Sequence, residues 1–178
     1  MNATHVHNLF GSLGPQAELR LERLLPGPIE RVWDWLTDSD LRRRWLAAGV
    51  MELREGAEFE LVWRNDELTD PPGQRPEGFG EEHRMRSRIT HVKAPHRLGF
   101  TWGEASHVCF ELETVGQQVR LTIVHQGAPN RDVLLNVSAG WHAHLDVLSA
   151  RLGGDTPAPH WDNWVALRVA YDQRFQPV

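Results

Sequence analysis

Polar and apolar positions alternate from Ala17 to Leu25, with Leu19, Leu21 and Arg23 on one side and Glu18, Arg20 and Glu22 on the other. A period of two predicts a strand with one buried face. Pro26-Gly27-Pro28 ends it. Pro28 suits the first position of a helix, where its missing N–H costs nothing. Ile29, Val32, Trp33 and Leu36 then recur at helical spacing, leaving Trp35 off the stripe and expected to be exposed. Asp38 or Ser39 caps a second short helix carrying Leu41 and Trp45, closed by Gly49.

A series of strand-like runs follows. Val50–Leu53 is short. Phe59, Leu61 and Trp63 alternate with Glu58, Glu60 and Arg64, and residues 65–81 form a loop rich in Pro, Gly and acids. From His83 to Val92 the arginines at 84, 86 and 88 alternate with Met85, Ser87 and Ile89. Leu98, Phe100 and Trp102 form one face of the next run, and Val108, Phe110 and Leu112 that of the run after it. Val115-Gly116-Gln117 reads as a hairpin turn leading into Leu121 and Ile123. Successive strands with one apolar face each predict an antiparallel meander packed on one side.

The segment from Arg131 to Leu152 covers that face. Leu134, Val137, Trp141, Leu145, Leu148 and Leu152 share a stripe, and Gly153-Gly154 is a stop signal. A last helix begins near Pro159 and aligns Trp161, Trp164, Leu167, Tyr171 and Phe175. Residues 1–16 have no periodicity and read as a flexible N-terminal arm. This gives an arm (1–16), one α+β domain (17–154) and a C-terminal helical extension (155–178). A curved antiparallel sheet and a straight long helix do not fit closely along their whole length, so a cavity is expected between them.

Four stretches in this order carry a family resemblance: RLLPGPIERVWDWLTDSDLRRRW (23–45), HRLGFTW (96–102), VRLTIVHQG (119–127), and Ser138-Ala139-Gly140-Trp141 through Leu145, Asp146 and Leu148. Together they resemble the START-like, or helix-grip (SRPBCC), superfamily. Within it they are similar to the bacterial homologues of the activator of the heat-shock protein ninety ATPase. The resemblance covers roughly residues 17–152 and implies a helix-grip fold with a hydrophobic pocket between sheet and long helix. It does not fix the ligand, since a fold hosts many functions. The eukaryotic co-chaperone carries a separate N-terminal domain that contacts the chaperone. Only a short arm precedes Ala17 here, so a chaperone partner is not expected.

Composition narrows the function. The net charge of −5 argues against a nucleic-acid binder. Arg42, Arg43 and Arg44 are the densest basic run, and acidic residues surround them. No run of apolar residues is long enough to span a membrane, and the N-terminus lacks the marks of a secretory signal. The one cysteine, Cys109, has no internal partner, and a cytoplasmic protein is the default expectation. The ten histidines form no metal-ligand motif. No cofactor, metal site or catalytic residue is assigned.

Eight tryptophans against one tyrosine ask whether large flat side chains fill a core or line a cavity. Trp63, Trp102 and Trp141 fall on inward faces, with Met85, Phe110 and Leu145. Such a wall suits an apolar or aromatic ligand. His125 continues the inward register of Leu121 and Ile123, where it either anchors a ligand or bonds to backbone. The expected ligand-binding set is therefore Trp63, Met85, Trp102, Phe110, His125, Trp141 and Leu145. His83, Ser87 and His91 form a polar strip if their face turns inward. Ser138, His142 and Asp146 are one helical turn apart and read as surface hydrogen bonding, because a mid-helix serine lacks an oxyanion hole. Gly140 marks either a close approach or a tolerated kink.

Three functions fit. The first is a binding module holding a small hydrophobic molecule between sheet and long helix. The second is a cyclase- or dehydratase-type enzyme using His125 with His83 or His91, although no carboxylate falls on an inward face. The third is an interaction role, co-chaperone-like or a homodimer through the 159–175 helix.

Overall fold

The computed structural model describes residues 9–176. Seven strands and four helices follow in chain order: β1 (Ser12–Leu13), β2 (Leu19–Pro26), α1 (Ile29–Thr37), α2 (Ser39–Arg42), β3 (Glu58–Trp63), β4 (His83–Lys93), β5 (Arg97–Trp102), β6 (Ser106–Val115), β7 (Gln118–Gln126), α3 (Arg131–Gly153) and α4 (His160–Arg174). The strands form one antiparallel sheet in the order β1-β2-β7-β6-β5-β4-β3. This is the helix-grip architecture: a curved sheet closed over a long helix near the C-terminus.

Register follows the alternation. Leu21 pairs with Ile123 and Arg23 with Leu121, so the inward positions of β2 and β7 lie side by side. Val108, Phe110 and Leu112 of β6 continue the same buried face. The two residues Gly116 and Gln117 turn β6 into β7. Asp38 is the cap of α2, its carboxylate accepting from the Leu41 amide at 3.0 Å.

α3 is ~34 Å long. Asn130 caps its start by accepting from the Val133 amide, and Gly154 ends it in the left-handed conformation. Its apolar residues do not keep to one face. Leu134, Trp141, Leu145 and Leu148 pack against the sheet, while Leu135, Ala139 and Ala143 pack against Leu167 and Tyr171 of α4. The molecule therefore has three layers: sheet, α3 and α4. The small residues at 139 and 143 allow α4 to lie close.

Several expectations are revised. Val50–Leu53 forms no strand; instead Ala48 pairs with Val62 in an isolated bridge, and Val50 is exposed. Residues 1–8 of the expected arm lie outside the described residues, but residues 9–16 are not a loose arm. Ser12 and Leu13 pair with β2, the Gly11 amide donates to the Tyr171 hydroxyl at 2.8 Å, and Phe10 stacks edge-on against His142 and Tyr171. Trp35 is buried, with Arg44 lying over its ring, and its backbone carbonyl accepts from Trp45 Nε1 at 2.8 Å. Arg42, one of the basic triplet, is fully buried. It donates to the carbonyls of Leu36, Thr37, Ala47 and Gly49, closing the C-terminus of α1. Burial pulls its pKa down to about 10, so the guanidinium stays charged.

Candidate ligand cavity

The inward faces of β3, β4 and β5 carry Trp63, Met85 and Trp102 toward α3. Opposite them α3 presents Val137, Gly140, Trp141 and His144. Between these surfaces lies a cavity of about 390 Å³, within the range of small-molecule sites. Its third side is Trp161 and Trp164 of α4, and its roof is the loop segment 78–82, where Phe79 packs at 5.2 and 5.0 Å from the rings of Trp161 and Trp164. Gly140 matters here. A Cβ built on it would meet only Trp164 Nε1, at 3.9 Å, so the bare backbone leaves a flat patch of helix on the wall.

The roof is fastened. The 65–82 segment contains Asp66, whose carboxylate accepts from Trp161 Nε1 at 2.7 Å and pairs with Arg75 at 2.6 Å. The His160 amide donates to Thr69 Oγ1 and the Trp161 amide to the Pro72 carbonyl. Arg151 of α3 donates to the Leu68 carbonyl at 2.9 Å. The start of α4 thus holds a loop that its composition alone marks as free. At the mouth, Glu82 pairs with Arg64 and Arg84, which hold its carboxyl below the usual range.

Trp63, Met85, Trp102 and Trp141 of the expected set line the cavity; Phe110, His125 and Leu145 do not. Phe110 and Leu145 lie deeper, in the core beneath Trp141, and the Phe110 ring is 5.7 Å from the Trp141 ring. His125, 1% exposed, sits behind Trp141, whose Nε1–H donates to its Nδ1 at 3.0 Å. Desolvation pushes its pKa down to about 4, so the ring is neutral with its proton on Nε2.

His83 reaches the cavity, but a register shift between Ile89 and His91 breaks the polar strip. Ser87 is buried off the wall, and His91 faces Glu55 at 3.4 Å. Ser138, His142 and Asp146 are not a surface chain, because the first two are buried. Ser138 donates to the Leu134 carbonyl, and His142 Nδ1 is hydrogen-bonded with the Tyr171 hydroxyl at 2.9 Å. Among the described residues no group of three or more His, Cys, Asp or Glu side chains is placed to hold a metal, and no helix is long and apolar enough to cross a membrane.

Residues 26–153 match the family model of the activator of Hsp90 ATPase homolog 1-like proteins. The chain belongs to this family. A Bordetella parapertussis protein solved by NMR is 39% identical, with 93% of this chain and 89% of that one covered at a TM-score of 0.78. CalU16 from Micromonospora echinospora is 21% identical over 92% of this chain and 93% of its own, at a TM-score of 0.65. DynU16, a protein of the dynemicin biosynthetic locus, is 19% identical over 80% of this chain and 49% of its own, at 0.64. The last two share the fold. No curated protein matches the chain in sequence.

The sequence reading missed Phe79, His144, Trp161 and Trp164 on the wall. A signal for the two α4 tryptophans was present: Leu135, Ala139 and Ala143 lie off the main stripe of α3. A helix apolar on more than one face needs a second layer.

Proposed function

We propose that this protein binds a small apolar, aromatic-rich molecule in the cavity roofed by the 65–82 loop. One observation carries the reading: five tryptophans, Trp63, Trp102, Trp141, Trp161 and Trp164, converge on a cavity of about 390 Å³ whose wall is mostly apolar. A cytoplasmic location is part of the proposal, resting on the single Cys109. The acid/base alternative through His125 is less well supported, since Trp141 occupies its Nδ1 and the ring does not reach the wall. The apolar stripe considered for a homodimer is turned onto α3, leaving Val165 and Val169 of α4 as its exposed hydrophobics at 44% and 56%.

The test is a panel of apolar and aromatic compounds read by tryptophan fluorescence and by melting temperature. Binding should quench the emission and raise the melting temperature. Gly140→Leu, which projects a side chain into the space beside Trp164, should abolish the response while the far-UV spectrum stays unchanged. Absence of any shift across the panel would overturn the proposal.

A further inference from the structure

His144 projects from the middle of α3 and is 6% exposed, yet it belongs to the cavity wall. Its Nδ1 lies 2.7 Å from the backbone carbonyl of Trp45. A carbonyl can only accept, so Nδ1 must carry a proton. Desolvation lowers the pKa of this ring to about 4, and at neutral pH it holds that single proton. Nε2 is therefore a bare lone pair. Among the described residues no group bonds to it: the neighbouring His160 ring, 4.7 Å away and tilted by 42°, has neither nitrogen hydrogen-bonded. Of the other polar groups on the wall, Trp161 Nε1 is bonded to Asp66 and Asn136 Oδ1 to Arg168, while Asn65 Oδ1 has no partner among the described residues.

We infer that the ligand of this cavity carries a phenol-type hydroxyl on an aromatic framework, and that this hydroxyl donates a hydrogen bond to Nε2 of His144. The inference rests on the small-molecule reading above and specifies its chemistry. Tautomer and surroundings together set the preference. A fixed acceptor on the wall favours a ligand group that donates to it, and a carboxylate placed against it meets a repulsion between lone pairs. The aromatic walls select a flat ring to carry that donor. A neutral imidazole of such low basicity does not take the proton, so the phenol binds intact.

The experiment uses three probes of one shape on the wild-type protein: naphthol, its methyl ether and naphthalene. Affinities come from tryptophan quenching and calorimetry. Naphthol should bind about five- to tenfold tighter than the ether, the net value of one neutral hydrogen bond. The imidazole ¹⁵N resonance of His144 Nε2 should move when naphthol is added and stay in place with the ether. In His144→Phe the preference should vanish while naphthalene still binds. If this variant fails to fold, the wild-type series and the nitrogen resonance decide.

Equal affinity for all three probes, or tighter binding of the ether, would overturn the inference and leave the apolar-cavity reading standing. A naphthol preference that persists in His144→Phe, or an unmoved Nε2 resonance, would overturn it equally. Failure of all three probes to bind would count against the cavity reading itself, and the inference would fall with it.

Discussion

Acid should unfold this protein near pH 5, and four buried histidines are the reason. His125, His142 and His144 are held to pKa values of about 4, and His160 to about 2, each mainly by desolvation. Unfolding returns them to the ordinary value of 6.5. The unfolded chain then binds more protons than the folded one at pH values between the two, so stability is complete above pH 6.5 and is lost as pH falls. Between pH 7 and pH 5, one such histidine gives up roughly 2 kcal/mol. Four together give up several kcal/mol, a large part of the ~5–15 kcal/mol that holds a typical domain together.

Urea unfolding followed by tryptophan fluorescence at about pH 7 and about pH 5 measures this directly. The midpoint should collapse at the lower pH without a change in slope. His160→Phe isolates one contribution. Neither ring nitrogen of His160 has a partner, so an apolar ring there costs little at neutral pH. It should recover most of one histidine's share at pH 5. A midpoint that is flat between the two pH values, or a His160→Phe variant as acid-sensitive as the parent, would refute the reasoning.

Three further outcomes are expected in melting and exchange measurements. Gly140→Ala should raise stability by up to ~1 kcal/mol, because a Cβ there meets only an ordinary contact and the helix gains propensity. Arg42→Met should cost about 3 kcal/mol or more, since it strips four buried or half-buried carbonyls of their shared donor. Tyr171→Phe should cost ~1–3 kcal/mol and speed hydrogen exchange at the Gly11 amide, whose acceptor it removes.

Periodicity carried most of the fold. Each of β2 to β7 shows its inward face in the sequence, and the caps at Asp38, Asn130 and Gly154 sit where short polar residues and glycine stand. What periodicity cannot carry is the consequence of one element meeting another. Trp35 is off its helix stripe yet buried, with Arg44 lying over its ring. In the sequence Arg42 is one of three adjacent arginines, and nothing in their spacing marks it as the one that the carbonyls of Leu36, Thr37, Ala47 and Gly49 enclose.

The cavity divides in the same way. Its sheet side and Trp141 followed from alternation and helical spacing. Its roof and outer wall come from contacts between Asp66, Thr69 and Pro72 and the start of α4, which are some ninety residues apart in sequence. His125 kept the inward register that alternation predicted, but the indole of Trp141 fills the space in front of it.

Enclosure of α3 on two sides bears on how the sequence can drift. A helix lying on a sheet in a two-layer fold has an outer face that accepts almost any polar residue. Here no position from Leu134 to Leu152 is exposed. A saturation library across α3 should therefore yield tolerated changes chiefly at its first turn and its terminal glycine, with no stripe of permissive sites every third or fourth residue. The stretch with least freedom to vary would be the helix centre around Trp141 and His144, which must satisfy sheet, cavity and α4 at once.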